Sequence, residues 1–347
     1  MTYLNAQYTI YAEYSMLIGN ILMKTILVVG GAGYIGSHMV KMLLEIGYHV
    51  VVFDNLSTGY RDAVIGGDFV FGDLADRASL AHLFSGYQFD GVMHFASFIQ
   101  VGESICQPDK YYQNNVACTL NLLDAMVAAH VNHFIFSSTA AIFGEPQYTP
   151  IDEQHPKNPI NPYGLSKWMV EQILADYDHA YQIKSVCLRY FNAAGADPSG
   201  QLRERHNPET HLIPLVLQAA KGQREYITIF GQDYDTPDGT CIRDYIHIND
   251  LCQAHLLALD YLFTDQSSAA FNLGNSAGFS VKQVIDIARQ VTGKSITVQV
   301  GARREGDPAR LVADAQLARA SLKWQPQYSD LKTIIAHAWA CEQQANL

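Results

Sequence analysis

Three glycines, Gly30, Gly33 and Gly36, stand where the apolar run Ile26-Leu27-Val28-Val29 passes into a stretch of helical periodicity beginning at Ile35. A short, near-continuous apolar run fits a strand buried on both faces, as in a parallel sheet covered by helices. Small residues at the strand-to-helix junction permit a tight turn, close helix packing and close approach of a phosphate-bearing ligand to a helix N-terminus. The spacing is G-x-x-G-x-x-G rather than G-x-G-x-x-G, so the turn gains its meaning from the elements downstream of it.

Those elements alternate. Strands are expected at Thr25–Val29, His49–Phe53, Asp68–Phe71, Gly91–Phe95, His133–Ser137 and Lys184–Leu188, with helices at Ile35–Glu45, Ser79–Phe84, Lys110–Ala129 and Tyr163–Tyr181. This order predicts an α/β fold, a Rossmann-type doubly wound parallel sheet. After Arg189 the pattern is broken by Pro198, Pro208, Pro214 and the acidic stretch Asp233–Asp238. A smaller α+β C-terminal lobe is expected there, with helices at Ile213–Lys221, Asn249–Tyr261, Ser280–Val291 and Leu331–Gln343 and strands at Ile227–Phe230 and Ala270–Leu273. The division is 23–190 for a dinucleotide-binding domain and 191–347 for a substrate lobe, with returns of the chain to the first sheet allowed. Residues 1–22 contain no Lys or Arg and read as an extension, and Met23 is a candidate start of the folded domain.

A net charge of −11 and a pI near 5.5 argue against a general binder of nucleic acid or anionic membrane, which works by neutralising phosphates with Lys and Arg. No apolar run reaches the roughly 18 to 20 residues that span a bilayer. Six cysteines without a C-x-x-C pair fit free thiols in a reducing cytoplasmic setting, and no metal site is expected. His130 and His133 fall between a helix and a strand, where capping or packing accounts for them.

Tyr163 and Lys167 nominate a chemistry. Positions i and i+4 share one helix face, so the ammonium can approach the pocket of the phenol. A phenol titrates near about 10, and a base working near neutrality needs that value lowered by roughly 2 to 3 units. The Lys167 cation and the positive ring of an oxidised nicotinamide together could supply this. Asp54, ending the second strand, is placed to accept hydrogen bonds from an adenosine ribose and to repel a 2′-phosphate, which favours NAD over NADP. Asp73, ending the third, is placed to meet the adenine edge.

The glycine turn, His94-Phe95-Ala96, Tyr112-Gln113-Asn114-Asn115, Phe136-Ser137-Ser138-Thr139, the Tyr163/Lys167 pair and Arg189-Tyr190-Phe191-Asn192 resemble the extended short-chain dehydrogenase/reductases. Ile229-Phe230-Gly231, Asp238-Gly239-Thr240, Arg243-Asp244-Tyr245-Ile246-His247, Asn272-Leu273-Gly274 and Arg303-Arg304-Glu305-Gly306-Asp307 narrow the resemblance to the UDP-glucose 4-epimerases of that family. It implies a UDP-hexose substrate, tightly held NAD, a transient 4-keto sugar, a homodimer formed through the helices at Lys110–Ala129 and Tyr163–Tyr181, and a place in galactose metabolism. Tyr163 becomes the base, Lys167 its electrostatic partner, and Thr139 the hydroxyl that bonds the sugar O4. Tyr34, Ile35, Asn55, Leu74, Phe95, Ala96, Asn114 and Phe191 join Gly30, Gly33, Gly36, Asp54 and Asp73 around the cofactor. Asn192, Arg243 and Arg304 are assigned to the diphosphate, Phe230 to the uracil, Asp307 to the uridine ribose, and Tyr245 and His211 to the pocket wall. Ile99 stands where some relatives carry lysine. Leu311 stands where relatives range from tyrosine to cysteine, which implies room for UDP-N-acetylhexosamines.

The nearest rival is a nucleotide-sugar 4,6-dehydratase. Those enzymes carry an Asp-Glu pair after the threonine, where this chain has Ala140 and Ala141, which cannot move protons.

Overall fold

The computed structural model describes residues 23–344 except 265, 305 and 306; the extension expected at residues 1–22 lies outside the described residues. Seven parallel strands form the central sheet: β1 (Thr25–Val29), β2 (His49–Asp54), β3 (Asp68–Phe71), β4 (Gly91–His94), β5 (His133–Thr139), β6 (Lys184–Tyr190) and β7 (Ala269–Leu273). Their spatial order is β7-β6-β5-β4-β1-β2-β3. The order reverses between β1 and β4, and a crevice at the carboxyl ends of such strands is where ligands of doubly wound sheets bind.

Successive residues of β1 explain why its sequence is apolar throughout. Ile26 and Val28 pack on one face with Met39 and Leu43 of helix α1 (Tyr34–Glu45), whereas Leu27 and Val29 pack on the other with Leu122 of α2 (Cys118–Ala128) and Val170 of α3 (Pro162–Tyr181). Helices cover both faces, so neither set of side chains can be polar. The first face also takes Leu251, Leu259 and Leu262 from α4 (Ile248–Phe263), and Trp324, all from the second half of the chain.

A third core forms around Ile213, Leu217, Ile227, Ile229, Val284, Ile285, Leu331 and Ile335. The strand at Ile227–Phe230 pairs in parallel with Val298–Gly301, a strand not expected from the sequence. Asn192–Ala194 pairs in parallel with Tyr245–His247, which sets Asn192 beside Tyr245 across a long sequence gap.

The main departure from the expected helices lies in Lys110–Ala129. The chain runs there through a short helical turn at Pro108–Tyr111, a wider π-type stretch at Tyr112–Ala117 and then α2. A 3.6-residue period cannot announce such a stretch, and π-type insertions often accompany functional sites. This one holds the buried Asn115 side chain, which donates to Phe98 O at 3.0 Å and to Ser166 Oγ at 3.1 Å and accepts from Phe98 N at 2.9 Å.

Candidate active site

The glycine turn is fixed by its own backbone. Gly30 has φ +81°, and a Cβ there would sit 2.6 Å from Ala96 N; a Cβ on Gly36 would collide with the Gly30 carbonyl. Both positions exclude a side chain for reasons internal to the protein. Gly33 differs, because the nearest atom to its built Cβ is 3.4 Å away. No contact within the chain demands glycine there. Gly33 is the N-cap of α1, which has no side-chain cap and no acidic residue in its first turn. An uncapped helix start behind an open glycine is a cradle for a phosphate.

The Asp54 carboxylate helps hold this turn, accepting from Ala32 N at 2.9 Å and Leu56 N at 2.8 Å. Burial raises its pKa above the ordinary carboxylate value, with these two amides opposing. Asp73 accepts from Asn55 Nδ2 and from Ala75 N, each at 2.8 Å, so two of the expected cofactor residues lock one another. Asp54, Asn55, Asp73, Leu74, Ala96 and Asn114 line one small cavity with Gly30, Gly33 and Phe95.

Those last three residues also border a much larger cavity of about 1050 Å³, above the usual range of roughly 300–1,000 Å³ for drug-sized ligands. Tyr34, Ile35, Gly36, Thr139, Tyr163, Lys167 and Phe191 line it on the sheet side. Asn192, His211, Phe230, Arg243, Tyr245, Arg304, Asp307 and Leu311 line it on the other. Every residue assigned from the sequence to catalysis, cofactor or substrate therefore borders one of two cavities that share Gly30 and Gly33.

Tyr163 is delivered by a well-defined helix start. Asn161 caps α3, its side chain accepting from Gly164 N at 2.8 Å, and Pro162 occupies the first turn, where its missing N–H costs nothing. Thr139, at the end of β5, caps the short turn Ala140–Phe143 by accepting from Ala141 N at 3.1 Å. One turn along α3 from Tyr163, Lys167 is almost fully buried; its Nζ donates to Ser97 Oγ at 2.7 Å and Ser137 O at 2.8 Å. Burial lowers the Lys167 pKa to about 7, with Glu171 opposing. Burial raises the Tyr163 phenol, and the Thr139 hydroxyl lowers it. Ser97 gave no signal in the sequence, because a lone serine in a loop is common and only the fold brings it to Lys167.

Glu171, a further turn along α3, was also missed. It forms a buried fork with Arg189, at 2.6 Å from Nη2 to Oε2 and 3.0 Å from Nε to Oε1, and accepts from Ser138 Oγ at 2.5 Å. A Glu eight residues beyond a candidate base reads as an ordinary exposed helix charge until β6 supplies its partner.

At the far end, Arg243 donates to Asp307 Oδ1 at 2.9 Å and to the carbonyls of Ile242 and Pro308 at 2.9 and 2.8 Å. Arg304 donates to Asp307 Oδ2 at 3.1 Å and stacks 4.7 Å from the centroid of the Phe230 ring. Arg303 is turned away onto Asp233 and Tyr234. His211 Nδ1 lies against the Glu204 carboxylate. Leu311 packs with Phe191 and Trp168 on the small core of Ala140, Ile142, Phe143 and Ile151.

Among the described residues no helix is long and apolar enough to cross a membrane. The sequence pattern of the NAD dependent epimerase/dehydratase family matches residues 26–274. The chain is 52% identical to the UDP-glucose 4-epimerase of Halalkalibacterium halodurans over 314 residues, 90% of this chain and 94% of that one. The crystal structure of the UDP-glucose 4-epimerase from Brucella ovis in complex with NAD superposes with a TM-score of 0.90 at 49% identity, covering 91% of this chain and 98% of that one. The UDP-Glc/GlcNAc 4-epimerase of Campylobacter jejuni gives a TM-score of 0.82 at 45% identity, covering 92% and 99%. With the turn, the Tyr163/Lys167 helix and the arginine-bearing wall lining connected cavities, and with relatives of this identity and coverage, the chain belongs to the NAD dependent epimerase/dehydratase family, in its UDP-glucose 4-epimerase branch.

Proposed function

We propose that this chain interconverts UDP-glucose and UDP-galactose at C4 with NAD as its resident cofactor. The observation that carries the reading is that Tyr163, Lys167 and Thr139 border the same cavity as the glycine turn at one end and Arg243, Arg304 and Asn192 at the other. The cradle at Gly33, with the Asp54 and Asn55/Asp73 groups beyond it, fits the pyrophosphate and adenosine of NAD. When bound, oxidised NAD supplies a positive nicotinamide and takes up and later returns the C4 hydride, so the sugar passes through a 4-keto form without net oxidation.

The chain's own groups do the rest. Tyr163 removes the proton of the sugar 4-hydroxyl and returns it after the 4-keto sugar has presented its other face. Thr139 bonds O4 and keeps it in reach of the phenol. Lys167, poised near pH 7 by burial, biases the Tyr163 proton and orients a ribose of the cofactor. The guanidinium groups of Arg243 and Arg304 meet the diphosphate at short range within a chain of acidic net charge, with Asn192 beside them. Phe230 borders the uracil and Asp307 the uridine ribose, while Tyr245 and His211 complete the wall. Leu311 leaves the sugar end open enough for UDP-N-acetylhexosamines, as the name of the Campylobacter jejuni relative invites.

Residues 23–190 supply most of the cofactor site and 191–347 most of the sugar-nucleotide site. The enzyme works in the cytoplasm, consistent with six free cysteines. It works as a homodimer; the exposed Met169 and Tyr181 on α3 are available to such a contact, and a monomer mass by light scattering would refute it. The dehydratase reading finds no proton-transfer group after Thr139, only Ala140 and Ala141. Incubation of the purified protein with UDP-galactose and no added NAD, followed by chromatographic separation of epimers, tests the activity; absence of UDP-glucose overturns it.

A further inference from the structure

Beside the large cavity, between Ala196 and Leu212, the chain contains four side chains in the pattern Glu204-x-His206-x-x-Glu209-x-His211 that converge on one point. One nitrogen or oxygen from each lies within 4.8 Å of all the others. We propose that this cluster is a binding site for one divalent transition-metal ion of the zinc class, with Glu204, His206, Glu209 and His211 as its ligands.

Three observations carry the assignment. The first is spacing. His206 Nδ1 lies 3.3 Å from Glu204 Oε1 and 3.5 Å from Glu209 Oε2. A zinc ion with nitrogen and carboxylate bonds of about 2.0–2.1 Å in a tetrahedron sets its ligand atoms roughly 3.3–3.4 Å apart, which these two contacts match, whereas His211 Nδ1 and the Glu204 carboxylate are in direct contact and would part to admit the ion.

The second is direction. His206 Nδ1 is buried and has no hydrogen-bond partner, although two carboxylates lie within reach. Both contacts are within ion-pair distance, but neither is an aligned hydrogen bond. A cation bound by this nitrogen and the two carboxylates would satisfy all three groups. The third is burial. The Glu204 and Glu209 side chains are only 6% and 7% exposed, and two carboxylates so close need positive charge between them, which the His206 and His211 rings beside them or one bound cation can supply.

The donor set is two imidazoles and two carboxylates without a thiolate. That combination suits zinc and its first-row neighbours better than calcium or magnesium, which take oxygen ligands. Four protein ligands leave a tetrahedral ion closed, so the site is structural. It would clamp the chain segment that walls the sugar-nucleotide cavity. The neighbours of these ligands already fasten the same segment from outside: Arg203 pairs with Glu342, and Arg205 pairs with Asp62 at 2.7 Å and covers the Tyr60 ring. Alternate residues of an extended segment thus face outward to the two halves of the fold and inward to the cluster. None of these contacts depends on which reaction the enzyme performs.

The test uses the full chain carrying its cofactor. Protein stripped with a chelator and desalted is incubated with zinc, or with cobalt as a spectroscopic stand-in, then desalted again and assayed for metal by mass spectrometry. One equivalent per chain, with the intense visible absorption of tetrahedral cobalt, is expected. His206→Ala and Glu209→Gln should each lower the affinity at least 10-fold while retaining NAD content and secondary structure. Zinc should raise the thermal midpoint of the parent and not of the variants. Absence of a retained equivalent in the parent, or equal retention by a folded His206→Ala/Glu209→Gln double variant, overturns the proposal.

Discussion

Glu171 and Arg189 form a two-pronged, almost fully buried ion pair that ties α3, the helix presenting Tyr163 and Lys167, to β6, with Arg189 Nη2 2.6 Å from Glu171 Oε2. Glu171 lies one helical turn beyond Lys167 and acts on its charge. Removing one member strands the other in the core, which costs about 3–5 kcal/mol, whereas replacing both by apolar side chains is often neutral. Arg189→Leu should therefore lower the denaturation midpoint severely, and Glu171→Leu/Arg189→Met should recover most of that loss. Urea titration checks this. Equal stability of the single and double variants would show that the pair is not the source of the loss.

Tyr163→Phe keeps the ring and removes the hydroxyl proposed to transfer the proton, so turnover on UDP-galactose should fall at least about 10²-fold with NAD still bound. The check is a coupled assay on variant protein whose cofactor content has been measured. Unchanged turnover would remove Tyr163 from the mechanism.

Asp54 holds the Ala32 and Leu56 amides and lines the small cavity proposed to take the adenosine of the cofactor. Asp54→Asn keeps an acceptor and deletes the charge that opposes a 2′-phosphate. The ratio of NADP to NAD recovered from denatured protein, or measured by competition, should rise roughly 10-fold. A ratio equal to the parent's would show that selectivity lies elsewhere.

Leu311→Tyr tests the width of the sugar end. Activity on UDP-N-acetylgalactosamine should drop sharply, while activity on UDP-galactose stays within about tenfold, since crowding of this kind is worth roughly 1–3 kcal/mol of discrimination. Parallel losses would place Leu311 in the shared chemistry or in packing against Phe191.

Burial raises the Asp260 carboxyl to about 6, with Tyr48 as its hydrogen-bonding partner. A raised folded-state value favours the native protein below the unfolded carboxylate pKa, and that benefit is lost as pH climbs through about 6. Asp260→Asn should therefore melt above the parent by ~2 °C at about pH 8, with the difference shrinking to nothing near about pH 4. Scanning calorimetry across that range decides it; a difference of the same size at both ends would exclude the titration.

The first half of the fold was largely legible because its signals are local. Val28 and Val29 feed Gly30 within one turn, and Asn161-Pro162 announces the helix that carries Tyr163. Partners that depend on tertiary approach were not. Ser97 becomes a ligand of Lys167 only through the chain's path after β4, and Glu171 needs Arg189 from the neighbouring strand. Glu204, His206, Glu209 and His211 went unseen as a group because they lie on a loop and mix oxygen with nitrogen donors, without the cysteine pairs or helical H-E-x-x-H spacing by which metal sites are usually read. On the substrate side, Arg243 and Arg304 were marked, but their joint hold on Asp307 follows from the folded register of Arg243 opposite Leu311.

The seventh strand has a consequence for how this protein can be made. A chain stopped after residue 190 would end with β6 as a bare sheet edge, its amides and carbonyls offered to any passing strand. It would also lack α4 and Trp324, and so expose the apolar faces of β5 and β6 and of α1 that α4 covers. On a ribosome the cofactor-binding half therefore emerges first but stays unfinished until Ala269–Leu273 is synthesised. Split versions of this enzyme should succeed only when the later fragment is supplied together with the earlier one.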